Sequence, residues 1–484
     1  MGREGGGESE DRITRSQLYS KLQVTLSVRR KSSLNNTTTY GTIFGYNSLR
    51  KDNDPAIDSQ SHSIDNAQCR FQNTKGIKKS RLIGRRIPYI SPGRDWSLVE
   101  LKHELYKQIS RDVMSWVQLF PTVRSFFILA DPFAIKEMMS NRALFPKNIW
   151  GYKILNYFGP NVLTSEGEEW KHQRKLISPA FSEKNNRLVW EETMRVVQDM
   201  FNHWGPENEE IPVDHCLSIT LPSPIKLKSG FGQKLPWSED NMNAPFGHEI
   251  TFKAALTIVS QWAFLLSKSL RDIYSAKEEF VSYMKEMIEK RRGDLEEERY
   301  DLFNMLLKMN EENTAEQGTL AEDELLGNIF IFLFAGYETT AHTICFALGL
   351  LAIEQEEQEK LFQHIVSILG DRTTPNYEEL NTLSYVIAVI NETLRLFAPI
   401  PLLPKVATED TTISIALADG KMERIFIQSG TMLYINTTGL HYNPKYWDEP
   451  HTFNPSRFRK SYNKDAFIPF SGDDYRNHYD YQKV

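Results

Sequence analysis

Residues 319–353 read TLAEDELLGNIFIFLFAGYETTAHTICFALGLLAI, a run without proline that is mostly apolar from Leu325 to Leu351. Thr319-Leu-Ala-Glu322 has the pattern of a capping box, so we predict that one helix begins here and continues to Ile353. A helix of about 30 residues would be roughly 45 Å long. Because it is apolar on nearly all sides, it is expected to run through the interior of the protein.

The middle of this helix holds Ala335-Gly336-Tyr337-Glu338-Thr339-Thr340. Small side chains such as those of Ala335 and Gly336 let a flat ligand approach the backbone closely. A buried Glu338 beside the Thr339 hydroxyl suits proton delivery. A kinked core helix with hydroxyls bonded to the backbone explains the motif equally well. These polar residues also argue against a membrane span, for which the helix is long enough.

A second motif is Glu392-Thr-Leu-Arg395, inside the apolar stretch from Val386 to Phe397. Residues three apart share one helix face and can form an ion pair. A pair in apolar surroundings needs compensation for its burial and a third partner. Arg457, in Pro455-Ser-Arg-Phe458, is the candidate for that partner.

A third motif is Trp170-Lys-His-Gln-Arg174, preceded by the capping-box pattern Ser165-Glu-Gly-Glu168. Trp170 and Arg174 are one turn apart on one face. Indole and guanidinium groups both donate hydrogen bonds, which suits carboxylate ligands. Taken alone, an indole stacked on an arginine is the simpler interpretation.

Composition narrows the class of protein. The 484 residues carry a formal net charge of −6, which gives no overall attraction to nucleic acid. The three cysteines, Cys69, Cys216 and Cys345, are far apart, so a disulfide framework or a structural zinc site is not expected.

Residues 1–85 are polar and lack apolar periodicity, which predicts a disordered leader and leaves 86–484 as the folded domain. No apolar stretch near the start is long enough to span a bilayer, so any membrane association is expected to be peripheral.

Together and in this order, these motifs resemble the cytochrome P450 family, of the eukaryotic microsomal type. The resemblance also includes Trp447-Asp-Glu-Pro450. It implies a mainly α fold with small β-sheets (α+β), in a single large helical domain. It implies a heme-dependent monooxygenase that inserts one oxygen atom from O₂ into an apolar small molecule. A NADPH-dependent reductase as partner and a place on the cytoplasmic side of the endoplasmic reticulum membrane follow from the same resemblance.

The resemblance also implies roles for single residues. Glu338 and Thr339 would assist oxygen activation, with Ala335 and Gly336 against the heme. Glu392, Arg395 and Arg457 would form a structural charge triad. Trp170 and Arg174 would face the heme propionates, and Lys405 would supply another basic group beside them.

The pattern breaks at the heme-cysteine loop, which the family writes Phe-x-x-Gly-x-Arg-x-Cys-x-Gly. Residues 467–472 begin a similar loop, but Asn477 stands where the cysteine is expected. We therefore expect a truncation or frameshift after Gly472 and the loss of the thiolate that ligates iron. His478 is a candidate substitute ligand. Cys345 lies on the long helix, where it is more simply explained as a core residue.

Three functions remain open at this point: a monooxygenase, a non-catalytic remnant that binds apolar ligands or partners, and a heme-thiolate enzyme of another reaction type, such as an isomerase or peroxygenase. The Glu338–Thr339 pair favours the first over the third. The residues after Gly472 favour the second for this chain.

Overall fold

The structure is a computed structural model, and it describes residues 101–107, 109, 111–118, 124–203, 244–263, 270–293, 301–312, 318–417 and 419–471. Helices dominate these residues, and short strands form small sheets. The predicted fold class, mainly α with small β-sheets, is confirmed. The predicted leader 1–85 and the predicted break after Gly472 lie outside the described residues.

In chain order, the helices in the described part of the chain are α1 (Glu104–Lys107), α2 (Pro132–Ser140), α3 (Ile149–Tyr152), α4 (Gly167–Ile177), α5 (Glu183–His203), α6 (Phe252–Ala263), α7 (Leu270–Gly293), α8 (Leu302–Glu312), α9 (Glu322–Ile353), α10 (Gln355–Leu369), α11 (Ser384–Leu396) and α12 (Thr437–His441). Short 3₁₀ turns connect several of them, including Pro455–Arg459.

The strands found within the described residues are β1 (Val113–Gln118), β2 (Arg124–Leu129), β3 (Leu402–Val406), β4 (Thr411–Ala416), β5 (Met422–Ile427) and β6 (Met432–Asn436). β4 and β5 form an antiparallel hairpin with Ile413 opposite Ile425. The other four form a sheet in the order β1-β2-β6-β3, in which β2 runs parallel to β6 and Ile128 lies opposite Tyr434. The runs around Ile413–Ala416, Ile425–Gln428 and Thr431–Ile435 predict strands from the sequence and coincide with β4, β5 and β6, whereas β1, β2 and β3 were not predicted.

The long helix α9 begins at Glu322, so the predicted capping box at Thr319 is wrong. The N-cap is Ala321, and the Glu324 carboxylate accepts a hydrogen bond from its N–H at 2.9 Å. The start is displaced because Asn310 binds both backbone groups of Leu320, at 2.6 Å to its N–H and 3.2 Å to its carbonyl. A tertiary contact therefore sets where this helix can begin.

The helix α4 also begins later than its predicted capping box. Glu166 is the N-cap, and its carboxylate accepts hydrogen bonds from the N–H groups of Gly167 (3.4 Å) and Lys147 (2.9 Å). Ser165, the predicted cap, is buried, and its N–H donates to the Asn161 carbonyl at 2.9 Å. The buried loop before the helix thus holds Ser165 outside the helix.

The helices α4 and α9 are joined by a buried polar contact. Gln173 donates to the Glu324 carboxylate at 3.0 Å and accepts from the Asn328 amide at 3.3 Å. The loop before α4 approaches α9 so closely that a Cβ on Gly327 would lie 2.4 Å from the Pro160 carbonyl oxygen. Glycine at this position therefore sets the distance between α9 and the loop that leads into α4.

The helix α9 passes through two hydrophobic cores. Its first half, including Ile329 and Phe330, packs with α6, α7 and α8, and its last turns, including Leu350, pack with α11. Length and composition would allow α9 to cross a membrane, but these contacts make it a core helix of the described fold. The expectation of burial on nearly all sides is wrong for the middle, where Ala335 and Thr340 are exposed because the two cores flank them without covering them.

Candidate functional site: a charge network, a basic cluster and an uncovered helix surface

The residues Glu392, Arg395 and Arg457 meet in one buried network, which we call the charge network. The two residues on α11 form a bidentate ion pair, with Arg395 Nε 2.7 Å from Glu392 Oε2 and Arg395 Nη2 2.9 Å from Oε1. Arg457 Nε lies 3.0 Å from Glu392 Oε1. The Glu392 and Arg395 side chains are 0% exposed and Arg457 is 11% exposed, so these charges interact away from water.

The charge network organises the chain that follows α12. Besides its carboxylate partner, Arg395 donates to the carbonyls of His441 (2.8 Å), Pro450 (2.8 Å) and Thr452 (3.3 Å). All five N–H donors of its guanidinium are therefore used. Arg457 adds a bond to the Asp448 carbonyl at 2.8 Å. The network thus holds the irregular segment 442–454 against α11.

A second set of charges surrounds Trp170 on α4. The Arg142 guanidinium lies 4.6 Å from the centroid of the indole ring and the Lys147 ammonium lies 5.7 Å from it, both in cation–π contact. Arg174 is on the same face of α4, one turn later, and is half-buried. Within the described part of the chain, neither the Trp170 indole N–H nor the Arg174 guanidinium donates a hydrogen bond.

Lys405 joins this group through the backbone. It is buried at 6% exposure on β3 and forms an antiparallel β-bridge with Lys147. Lys147 in turn donates from Nζ to the carbonyls of Val162 (3.1 Å) and Leu163 (3.2 Å). We call Arg142, Lys147, Arg174 and Lys405 the basic cluster. Of the predicted residues, Trp170 contacts Arg142 and Lys147 directly, Arg174 shares its helix face, and Lys405 pairs with Lys147 through the backbone.

Arg142 and Lys147 were not predicted from the sequence. They lie on either side of a short apolar run in Arg142-Ala-Leu-Phe-Pro-Lys147, just before α3. Two bases that flank a buried phenylalanine, Phe145, would have been a weak signal for a charged site. Their approach to Trp170 depends on tertiary contacts that no local pattern contains.

The motif in the middle of α9 forms an uncovered helix surface. Thr339 Oγ1 donates to the Ala335 carbonyl and Thr340 Oγ1 to the Gly336 carbonyl, each at 2.8 Å. Both hydroxyl protons therefore lie on the backbone of the helix, as the simpler interpretation of the motif expects. Ala335 is exposed. Glu338 is part of α9, but its side chain is not among those that the structure describes, so its pairing with Thr339 stays a prediction.

The comparisons with known proteins agree with this geometry. A family model for cytochrome P450 matches residues 95–472. The chain is 44% identical over 408 residues to Cytochrome P450 monooxygenase 124 of Postia placenta, covering 81% of this chain and 78% of that protein. It is 26% identical over 401 residues to human Cytochrome P450 4Z1, covering 77% and 75%.

The chain belongs to the cytochrome P450 family. Its described fold is similar to the crystal structure of the cytochrome P450DA heme domain, with a TM-score of 0.63 and 21% sequence identity over 78% of this chain and 81% of that one. A heme-dependent monooxygenase, with heme as cofactor and a small molecule as substrate, is the function that membership gives. Membership also implies a redox partner.

The residues of this cytochrome P450 chain fit heme at its carboxylate end. Propionates are anions that need donors; the basic cluster supplies cations, and the Trp170 indole and the Arg174 guanidinium donate to no acceptor within the described residues. The small residues Ala335 and Gly336 leave room for a flat ring beside α9. The sequence lacks a cysteine to ligate the iron, because no cysteine follows Cys345 and Asn477 stands at the expected position. Asn477 and His478 lie outside the described residues.

Proposed function

We propose that this chain binds heme between the basic cluster and the uncovered surface of α9, for the oxidation of an apolar small molecule. Trp170, Arg174 and Lys405 would hold the propionates, and Ala335 and Gly336 would contact the ring. The charge network would hold the segment before the heme loop. A NADPH-dependent reductase at the cytoplasmic face of the endoplasmic reticulum membrane would supply the electrons.

The observation that supports this proposal most directly is the hydrogen bonding around Trp170. Arg174 and the indole N–H have no acceptor within the described residues, yet they lie one turn apart beside two further cations. Their N–H groups remain accessible to water, so a carboxylate could take the place of water as their acceptor, an arrangement that suits an anionic ligand. The two propionates of heme are such anions.

Heme, when bound, supplies the iron at which O₂ is activated. The contribution of the chain is then to place protons. The Thr339 hydroxyl holds a proton at Oγ1, directed to the Ala335 carbonyl. Rotation of this side chain would turn that proton away from the helix, and Glu338, on the same turn, would replace it from solvent. The apolar residues of α9 would keep bulk water away from the substrate.

The test compares heme with its dimethyl ester, in which both propionates are uncharged. Tryptophan fluorescence is titrated with each porphyrin in the wild-type protein, in Arg174→Met and in Lys171→Met. Lys171 is the control, because it lies on the same helix but is exposed and paired with Glu168. We expect Arg174→Met to bind heme roughly tenfold to hundredfold more weakly, with ester binding unchanged, because one charge-assisted contact is lost.

Equal affinity for heme and its ester in the wild-type protein would contradict the assignment of the basic cluster. An equal loss in Lys171→Met would show that net charge, rather than position, governs binding.

A second candidate function, a non-catalytic remnant that binds apolar ligands, is favoured by one observation in the sequence. Asn477 replaces the cysteine whose thiolate ligates iron in the family, and Asp473 and Tyr475 replace the neighbouring Gly and Arg. For a polypeptide of residues 1–484 we expect no thiolate-type carbon-monoxide difference spectrum after reduction with added heme. Asn477→Cys alone is expected to leave the spectrum unchanged, because second-shell groups must also orient the ligand. A thiolate-type spectrum from the unchanged polypeptide would exclude this candidate.

A further inference from the structure

His441, the last residue of α12, has a fully buried imidazole ring. Its Nδ1 lies 3.0 Å from the Arg395 carbonyl oxygen, and its Nε2 lies 3.0 Å from the Ile468 backbone nitrogen. A carbonyl can only accept and a backbone N–H can only donate. The ring is therefore neutral, with its proton on Nδ1, and it uses one nitrogen as donor and the other as acceptor.

The two partners of the ring belong to different parts of the molecule. Arg395 is in the charge network, and its guanidinium also donates to the carbonyl of His441 itself at 2.8 Å. Ile468 follows Phe467, whose ring stacks on the imidazole at 5.4 Å between centroids and 24° between planes. One side chain thus connects the end of α11 to residues 467–470, which lead directly into the segment where the family places its heme loop.

The contacts of the ring fix the position of residues 467–470 relative to the end of α11. The Arg395 carbonyl belongs to the last turn of α11, and the bonds of the charge network hold this turn in place. Both bonds of the ring are to backbone atoms, and a buried backbone N–H that loses its acceptor costs free energy. The direction in which the chain passes Ile468 therefore depends on the ring of His441.

We propose that His441 is a positioning residue that links the charge network to residues 467–470 and so sets the position of these residues, which directly precede the segment where the family places its heme loop. The purpose of this link rests on the proposed function, whereas the contacts belong to the polypeptide itself. They can be tested without heme.

The test uses two amide substitutions that each retain one half of the link. Asparagine places an amide nitrogen near the position of Nδ1, so His441→Asn retains a donor to the Arg395 carbonyl and loses the acceptor for Ile468. Glutamine reaches further and places its amide oxygen near the position of Nε2, so His441→Gln retains that acceptor. Hydrogen exchange of the Ile468 amide is measured in the 484-residue protein and in both variants.

We expect the Ile468 amide to exchange roughly tenfold faster in His441→Asn than in the wild-type protein and close to the wild-type rate in His441→Gln. Exchange of amides in the middle of α7 should be the same in all three proteins, which controls for global unfolding. Equal protection of Ile468 in both variants, at the wild-type rate or at a common faster rate, would overturn the proposal.

The tautomer of the His441 ring provides a second, independent test of these contacts. Nitrogen-15 chemical shifts of the imidazole should show a proton on Nδ1 and none on Nε2 at neutral pH. The reverse tautomer, or a doubly protonated ring, would contradict the geometry. If heme fails to bind the basic cluster while these results hold, the proposed function fails and the link remains. If heme binds but the exchange rate of the Ile468 amide is the same in both variants, the link through His441 fails and the proposed function remains.

Discussion

The charge network and the basic cluster both place arginines beside aromatic rings, yet they differ in how their donors are used. Each N–H of the Arg395 guanidinium has an acceptor, and its ion-pair partner Glu392 is inaccessible to water. Around Trp170, the Arg174 guanidinium has no acceptor within the described residues. A network that the protein satisfies by itself is typical of structural support, whereas donors left unused are typical of a binding surface.

Two parts of α9 also differ, in how closely the rest of the protein packs against them. Its first half is packed so closely that Gly327 has no room for a side chain, whereas Ala335 and Thr340 in the middle are exposed. Close packing fixes the helix relative to α4 and thereby fixes the distance between its uncovered surface and the basic cluster. The tightly packed region determines the geometry that the uncovered surface needs.

The largest expected effect is on the charge network. Glu392→Gln removes the carboxylate that pairs with both arginines of the network, so it should lower the free energy of unfolding by about 3–5 kcal/mol. Arg457→Ala should cost less, because Arg395 still pairs with Glu392. Arg187→Ala is the control, since it breaks an ion pair with Glu378 in which both side chains are exposed. The measurement is chemical denaturation.

The interpretation of the charge network as structural support requires a clear order of stabilities. Glu392→Gln must be the least stable variant, and Arg187→Ala must unfold like the wild-type protein. Equal unfolding midpoints for the Glu392 and Arg187 variants would show that burial does not govern these pairs.

A smaller effect is expected from two glycines on α9. Gly327→Ala would bring a methyl group to 2.4 Å from the Pro160 carbonyl oxygen, whereas Gly349→Ala meets nothing within 4 Å. We expect the first to destabilise by about 1–3 kcal/mol through forced backbone displacement. The second should be neutral or stabilise by up to about 1 kcal/mol, because alanine favours helix. Thermal unfolding of both variants measures the difference, and a destabilised Gly349→Ala would contradict the packing described here.

The charge network was accessible to sequence reasoning because its key spacing is local. Glu392 and Arg395 are three residues apart in an apolar helix, a pattern that requires a further charged partner, and Arg457 in Pro455-Ser-Arg-Phe458 was the candidate. The helix starts were wrong for the opposite reason. The Asn310 side chain binds the backbone of Leu320 before α9, and the Asn161 carbonyl accepts from the Ser165 N–H in the loop before α4; these bonds override the capping patterns.

The sheet and the basic cluster depend on contacts between distant parts of the chain. β2 pairs with β6, about 300 residues further along, and β2, unlike β6, is not marked strongly by its own sequence. Lys147 likewise meets Lys405 only through a β-bridge. Sequence patterns identified the residues that carry local periodicity, but they could not identify partners that only the fold brings together.

The smallest expected effect is on the pH dependence of the free energy of unfolding, and it comes from His441. Burial, and then the positive charge of Arg395, lower the pKa of His441 to about 3. In the unfolded chain this group titrates at its ordinary value of about 6.5. Between these two values the unfolded state binds one more proton than the folded state. The contribution of His441 to the free energy of unfolding is therefore fully present above pH ~6.5 and is lost as the pH falls.

His441→Gln removes this titration and keeps the acceptor for Ile468. From pH 6.5 to pH 5 the wild-type protein should lose roughly 1–2 kcal/mol more stability than the variant, measured by denaturation at each pH. The two proteins differ at no other titratable position, so His441 is the source of the difference. A variant that loses as much stability as the wild-type protein over this range would show that His441 is protonated in the folded state. The ring could then no longer accept from Ile468, and the link from the charge network to residues 467–470 would have to run through other atoms.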